Sequence, residues 1–338
     1  MPLRNALSAP SRHYDGPVPG ASRRGEIALL VASLAVALAF GEAAARVLAP
    51  ARTATGYAPV RTDRRDRRPI NSRGYRDFER VVPKPEGARR VVCIGDSFTW
   101  GASVLFDDAW PQRVERALSR ERGERWEAVN LAESGLNAVQ EASRLGSEGF
   151  AYGPDVVVVA YVLNDSEDET AAEARRAADW VEERREPSRS PLDRSALVRF
   201  VRTRLWATFE NRRRVEGYRS MYADDYAGWA AARRALRAMG GMCRERGVPL
   251  VVAIFPLFGN PLDDRYPFAA IHAKVAQAAG EAGARVVDLL PLYRGLDWKL
   301  LVVDGADDEH PNEIAHRIAA QAIARAVDEV VEHPVPRP

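Results

Sequence analysis

Residues 156–163 read "VVVVAYVL", a run without a single charged side chain and rich in β-branched residues. A strand with one face in water alternates apolar and polar residues, whereas a uniformly apolar strand is buried on both faces. Four similar runs occur along the chain, and segments with the three- and four-residue spacing of helices separate them. The pattern predicts an α/β sandwich with helices on both faces of the sheet. The other four predicted strands are residues 91–95, 128–131, 250–255 and 286–290.

Composition excludes some classes of partner. The 338 residues carry a net charge of +2, so there is no concentrated basic footprint for nucleic acid. The two cysteines, Cys93 and Cys243, lack the spacing of metal ligands, and we expect two buried thiols. The length suits one large domain or two smaller ones.

Residues 27–41, "IALLVASLAVALAFG", contain no charge. They predict a transmembrane anchor over residues 26–49, after a polar tail at 1–25. A cleavable signal peptide is the alternative, because residues 43–45 are small. Arginines flank the segment on both sides and leave the orientation open, but we favour an anchor with the main domain outside the cytoplasm, in the periplasm or at the cell surface. Cleavage would instead give a secreted protein.

The rest of the chain divides into a linker and lead-in at residues 50–88, the main domain at 89–332 and a tail at 333–338. Residues 166–225 form a long insertion between the third and fourth strands. We favour helices that cover the sheet and expose an arginine-rich face to solvent. The alternative is a lid or membrane-facing flap over an active site.

In open parallel sheets, ligands bind at the carboxyl ends of the strands. Ser97 leaves the first predicted strand in "GDSFTWG", Gly135 follows the second, and Asn164 ends the third. His310 comes before the last predicted helix, three residues after Asp307. These residue types suit acyl transfer: a serine nucleophile, a histidine base and a carboxylate that orients the histidine.

The oxyanion of such a reaction needs hydrogen-bond donors already in place. We expect them to be the backbone N–H groups of Ser97 and Gly135 and the side-chain amide of Asn164. Asp96 and Asp165 are expected to stabilise their turns through local hydrogen bonds. The sequence leaves open whether Asp304 or Asp307 orients the histidine. It also leaves open whether residues 98–100 line the pocket or pack in the core.

The segments "GDSFTWG", the Gly135 block, "LND" and "DDEHPN" resemble, in their order, the four conserved blocks of the GDSL/SGNH hydrolase family. The resemblance extends over roughly residues 71–331, and "INSRGYR" resembles a lead-in of membrane-anchored bacterial members. It implies a flavodoxin-like three-layer α/β/α sandwich with a mainly parallel five-stranded sheet, the same five site residues, and no metal or cofactor. Two positions depart from the family: Val162 replaces a frequent glycine, and Ala132 stands in "NLA".

The resulting hypothesis is a serine esterase that hydrolyses carboxylic esters through an acyl-enzyme. Its substrates would be O-acyl groups, such as acetyl groups, on carbohydrates, or lipid esters. One alternative is an O-acyltransferase that acts on envelope or exported polysaccharide. A second is a non-catalytic scaffold of a polysaccharide-secretion assembly. The sequence does not determine the oligomeric state.

Overall fold

Five parallel strands form the central sheet of the computed structural model, which describes residues 23–48, 70–102, 104–168, 170, 195–303 and 309–333. The strand order is β2-β1-β3-β4-β5, and every neighbouring pair is parallel. The predicted α/β fold with its five-stranded parallel sheet is therefore confirmed. The strands are β1 (Ala88–Gly95), β2 (Arg125–Asn130), β3 (Val156–Tyr161), β4 (Leu250–Ile254) and β5 (Arg285–Asp288).

Helices connect the strands and cover the sheet. In the described ranges they are α1 (Arg23–Leu48), α2 (Ser97–Trp100), α3 (Trp110–Arg122), α4 (Ala138–Ser147), α5 (Ala196–Met221), α6 (Ala227–Glu245), α7 (Ala269–Glu281) and α8 (Glu313–Glu332). The chain moves outward from β1 to β2 and then reverses to β3. Right-handed crossovers therefore put α3 and α4 on opposite faces. Helix α3 packs on α8, whereas α4 packs on α6 and α6 on α7. This arrangement is a three-layer sandwich.

Burial explains why the apolar pattern was a reliable guide to the central strands. All six residues of β3 are buried, and so are all five residues of β4. Strand β5 is only partly buried, as expected of an edge strand. Cys93 in β1 and Cys243 in α6 are buried, unpaired thiols, as predicted.

Several element boundaries differ from the sequence prediction. Strands β1 and β2 begin three residues earlier than expected, and β4 and β5 end one and two residues earlier. Strand β3 ends at Tyr161, because residues Leu163–Ser166 turn into a 3-10 helix. The last helix begins at Glu313, not in the turn of Pro311. The Asn312 side chain accepts hydrogen bonds from the N–H groups of Ile314 and Ala315 at 3.0 and 3.2 Å, which caps the helix there.

The described residues fall into two compact units, one of which contains α1 and the part of α5 up to Ala207. Helix α1 is long and apolar enough between Arg23 and Val47 to span a membrane or to be a signal sequence. Within this unit the carboxylate of Glu42 accepts hydrogen bonds from the N–H groups of Ala196 and Leu197, each at 2.9 Å. The start of α5 is therefore capped by α1. The predicted domain boundaries stay predictions.

Candidate active site

Ser97 is the first residue of α2, two residues after β1 ends at Gly95. A Cβ atom at position 95 would lie 2.1 Å from the Thr99 Oγ1 atom, so glycine is required for this close approach. The Asp96 carboxylate caps the helix by accepting a hydrogen bond from the Phe98 N–H at 2.9 Å. Ser97 is half-buried, and the N–H of a first helical residue has no acceptor within its helix.

The side chains of Ser97 and His310 meet although 213 positions separate them, with the serine Oγ 2.9 Å from the histidine Nε2. Two backbone hydrogen bonds hold the histidine segment: Val303 N–H donates to the His310 carbonyl at 3.2 Å, and Asn312 N–H donates to the Leu301 carbonyl at 2.8 Å. The cap of α8 follows directly. The histidine is therefore fixed between a short backbone pairing and a helix start.

Phe98 packs beside the His310 ring, and two further phenylalanines pack against Phe98. The Phe98 ring centroid is 5.4 Å from that of the His310 imidazole, 5.9 Å from that of Phe255 and 6.4 Å from that of Phe258. All three phenylalanines are buried, as is Thr99. Phe98 and Thr99 therefore pack in the core and do not line the pocket. The Phe98 ring packs against the His310 imidazole. Sequence reasoning had left these two uses open.

Asn164 lies in the turn after β3, where its Nδ2 donates a hydrogen bond to Asp96 Oδ2 at 3.0 Å. This bond brings the amide beside the residue that precedes Ser97. Gly135 is in the loop after β2 with a φ of 82°, a left-handed conformation that favours glycine. The same loop is joined to the end of β1, because Glu133 N–H donates to the Gly95 carbonyl at 3.3 Å.

The two departures from the family pattern fit the backbone. Val162 has a φ of −118° and a ψ of 157°, which any residue adopts, so the valine causes no strain. Its N–H donates to Asp165 Oδ2 at 2.9 Å, a local hydrogen bond within this turn. Ala132 is buried, and its N–H donates to Asn130 Oδ1 at 3.1 Å.

Residues 304–308 lie outside the described part of the chain, so nothing is seen of Asp307 or of its alternative, Asp304. The acid of the triad stays a prediction. Beside them, Glu309 forms an ion pair with Arg214 of α5. The part of α5 that contains Arg214, which lies within the predicted insertion, therefore contacts the residue directly before His310. The sequence showed only an arginine-rich stretch there, with no sign of this pairing.

Three acids, Asp96, Glu141 and Asp165, are almost completely buried. Burial raises the pKa of Glu141 well above 4.5, and the negative charge of Asp96 adds to the effect. Burial and the charges of Glu141 and Asp96 likewise raise the pKa of Asp165. Among the described residues, no hydrogen-bond partner reaches either oxygen of Glu141. Glu141 is therefore a neutral carboxyl group over a range of pH in which an exposed glutamate is ionised.

A pH-dependent stability follows from Glu141. Its pKa is raised in the folded state, so its contribution is fully present below the unfolded pKa, near 4.5, and is lost as pH rises through the folded pKa. We expect Glu141→Gln, which cannot ionise, to lose less stability than the wild type between pH 5 and pH 8. Urea unfolding at the two pH values measures this. An equal loss in both proteins would contradict the assignment. Glu121→Gln, at an exposed position of α3, is the control.

A second histidine near the site, His316, is part of the packed core. His316 is fully buried, and its Nδ1 accepts a hydrogen bond from the Trp110 N–H, at the start of α3, at 3.2 Å. Burial, together with the charges of Arg113 and His310, lowers the pKa of His316 to about 3. The ring is therefore neutral. In the described ranges no group of three or more His, Cys, Asp or Glu is arranged to hold a metal ion.

Residues 93–318, more than half of the chain, match the model of the GDSL-like lipase/acylhydrolase family. The chain belongs to this family and is an ester-hydrolysing enzyme. This is the class that the sheet, the serine at the end of β1 and the adjoining histidine define, and the predicted membership is confirmed. No curated protein matches the sequence.

Several solved structures are similar in fold. A putative lipolytic protein of the G-D-S-L family from Desulfitobacterium hafniense DCB-2 is 15% identical, with a TM-score of 0.43, over 70% of this chain and 98% of that one. TesA is 15% identical, with a TM-score of 0.46, over 72% and 99%. A catalytic mutant of Axe2, an acetylxylan esterase from Geobacillus stearothermophilus, is 16% identical, with a TM-score of 0.45, over 74% and 96%.

Proposed function

We propose that this enzyme is a serine esterase that forms an acyl-enzyme on Ser97 and releases the acyl group to water. The observation that carries the proposal is the 2.9 Å separation between Ser97 Oγ and His310 Nε2. A serine hydroxyl is a weak nucleophile until a base within hydrogen-bond reach accepts its proton. His310 is in that position.

In the proposed reaction, Ser97 Oγ attacks the ester carbonyl carbon while His310 Nε2 takes the hydroxyl proton. The tetrahedral intermediate collapses when the histidine returns this proton to the leaving alcohol oxygen. Water then attacks the acyl-enzyme with the same histidine as base, which yields the free acid and restores the serine. Asp307 is the proposed partner of the imidazolium, and Asp304 is its alternative.

The negative oxygen of each intermediate needs donors that are fixed before the reaction. The proposed donors are the N–H groups of Ser97 and Gly135 and the amide of Asn164. The hydrogen bond from Asn164 Nδ2 to Asp96 supports this role, because it orients the side chain and leaves a second amide N–H for the substrate. Asp96 and Asp165 are proposed to support the site by accepting hydrogen bonds from the backbone N–H groups of Phe98 and Val162.

The proposed substrates are O-acyl esters of carbohydrates, with lipid esters as the second class. A cavity of about 560 Å³ borders the loop that carries Gly135, between Ser134 and Leu136. Its lining is mostly polar and includes Gln140, Ser143 and Arg144. Hydroxyl-rich alcohols bind through such side chains. The buried Phe98 ring is not available to hold a long acyl chain.

A panel of esters tests this assignment. The full-length chain in detergent is assayed with p-nitrophenyl esters from acetyl to octanoyl and with an acetylated oligosaccharide. We expect the shortest acyl groups to be hydrolysed fastest and acetate to be released from the oligosaccharide. A preference for octanoyl with no release of acetate would favour a lipid esterase. Transfer of acetyl to an added sugar, with little free acid, would indicate an acyltransferase.

We further propose that α1 anchors the protein in a membrane and that the catalytic domain lies on the extracytoplasmic side. The length of α1 and its exposed apolar side chains support an anchor. An anchored chain stays with membranes after carbonate washing and keeps its amino-terminal residues. A soluble protein that begins after residue 45 would indicate cleavage instead. Digestion of the domain by protease added to spheroplasts tests the side of the membrane, since a cytoplasmic domain would be protected.

A further inference from the structure

The segment of residues 70–80, which precedes β1, contacts the helix that carries Ser97, and we refer to it as the strap. Its residue Arg76 is buried, with 7% of its surface exposed. One guanidinium nitrogen, Nη1, donates to the carbonyl of Trp100 at 3.2 Å and to that of Gly101 at 2.5 Å. The other, Nη2, donates to the carbonyl of Val104 at 2.7 Å. A single side chain thus binds three backbone carbonyl groups, one at the last residue of α2 and two in the segment that follows it.

These carbonyls need such a partner because α2 is only four residues long. The last carbonyls of any helix have no partner within it, and a cation there also complements the helix dipole. The guanidinium presents its donors in a rigid, planar fork, which the single ammonium of lysine does not reproduce. Another carbonyl near this end, that of Thr99, accepts a hydrogen bond from Asn130 Nδ2 at 3.1 Å.

The strap is itself fastened to the sheet. Asp77, the residue after Arg76, is fully buried and accepts a hydrogen bond from the Asn130 N–H of β2 at 3.1 Å. Arg80 donates to both Asp77 oxygens, at 3.0 and 2.8 Å, and to the Ala128 carbonyl of β2 at 3.0 Å. The guanidinium of Arg76 is therefore held by a fixed backbone and not by a mobile loop.

The far end of α2 is mechanically connected to the nucleophile. The N–H of Gly101 donates to the Ser97 carbonyl at 3.0 Å, so Ser97 and Gly101 bracket one helical turn. Gly101 also has a φ of 79°, and a Cβ atom there would lie 2.9 Å from Arg76 Nη1. A shift of this turn changes the distance between Ser97 Oγ and His310 Nε2. Misplacement of a reacting group by about 1 Å costs on the order of 10²-fold in rate.

We propose that Arg76 is a positioning residue, which holds the α2 turn through three carbonyl groups so that Ser97 points at His310. The proposal rests on the proposed role of Ser97 as nucleophile. The proposal also gives the lead-in "INSRGYR" a function, because its last residue, Arg76, contacts the end of α2. The residues before Arg76 form a turn in which Asn71 Oδ1 accepts a hydrogen bond from the Tyr75 N–H at 3.0 Å.

The test compares Arg76→Ala, Arg76→Lys and Arg73→Ala in the full-length protein. Arg73 is the matched control, an exposed arginine of the same strap whose guanidinium lies over the Tyr152 ring and away from α2. Two quantities are measured: the rate of labelling of Ser97 by a fluorophosphonate, and kcat and KM for p-nitrophenyl acetate. We expect Arg76→Ala to lower kcat and the labelling rate about 10- to 100-fold with little change in KM. Arg73→Ala should stay within about two-fold of the wild type.

Added methylguanidinium separates positioning from a loss of folding. It can occupy the space left in Arg76→Ala, and we expect it to restore part of the labelling rate in this variant and none in Arg73→Ala. Wild-type rates in Arg76→Ala, or a loss that methylguanidinium does not reverse, would overturn the proposal. If Arg76→Ala does not fold, Arg76→Lys is tested in its place, and we expect a lower kcat with little change in KM. A kcat of Arg76→Lys within two-fold of the wild-type value overturns the proposal. Absence of Ser97 labelling in the wild type would instead refute the proposed function.

Discussion

Replacement of Ser97 by alanine is expected to abolish ester hydrolysis, with kcat lowered by about 10⁴- to 10⁶-fold. The reason is chemical, because alanine has no atom that can form the acyl-enzyme, while the hydrogen-bond donors around the oxyanion stay in place. KM should change little. The half-buried hydroxyl at the start of α2 fills little core volume, so we expect thermal stability to stay close to that of the wild type.

The measurement is steady-state kinetics with p-nitrophenyl acetate. Ser220→Ala, which removes an exposed hydroxyl near the end of α5, is the matched control and should keep wild-type rates. A Ser97→Ala protein that is folded and retains more than about one-tenth of the wild-type kcat would require a different nucleophile.

Replacement of His310 by alanine is the second large effect, and we expect kcat to fall by about 10⁴-fold. The substitution removes the only base seen within hydrogen-bond distance of Ser97 Oγ among the described residues. Because the serine and the histidine act as one unit, the double variant should be no slower than the worse single variant. His333→Ala, an exposed histidine at the end of α8, serves as control.

The pH dependence separates this role from mere packing on Phe98. A protonated imidazole cannot accept the serine proton, so wild-type kcat/KM should fall at acidic pH. The residual activity of His310→Ala should lack this acidic limb and rise with hydroxide concentration. A variant that keeps the wild-type pH profile with a uniformly lower rate would show that His310 is only a packing residue.

The central strands and the pairing of Ser97 with His310 were within reach of the sequence for physical reasons. A uniformly apolar strand is stable in water only when helices cover both faces of its sheet, and this rule predicted β3 and β4 correctly. Parallel topology then brought the ends of the strands to one edge, where Ser97 lies. The end of β3 was placed two residues too far, because Val162 and Leu163 continue the apolar pattern while the backbone already turns.

Other contacts of the site left no signal in the pattern of apolar residues. Arg76 is one of many arginines in the sequence, and its partners are backbone carbonyls, which every residue has. The pairing of Arg214 with Glu309 joins positions far apart in the chain. A phenylalanine at position 98 is equally compatible with lining a pocket and with packing in the core, so the sequence does not distinguish the two roles. Each of these roles depends on tertiary distances, which spacing along one strand or helix does not encode.

The most direct test of the central claim is to trap the proposed covalent intermediate. The full-length protein is treated with a fluorophosphonate, digested and examined by peptide mass spectrometry. The reagent loses fluoride to the attacking serine oxygen and leaves a stable phosphonyl ester. We predict one modified site, Ser97, with labelling that parallels the loss of esterase activity. An enzyme that turns over esters but carries the label on a different residue, or none at all, would contradict the account.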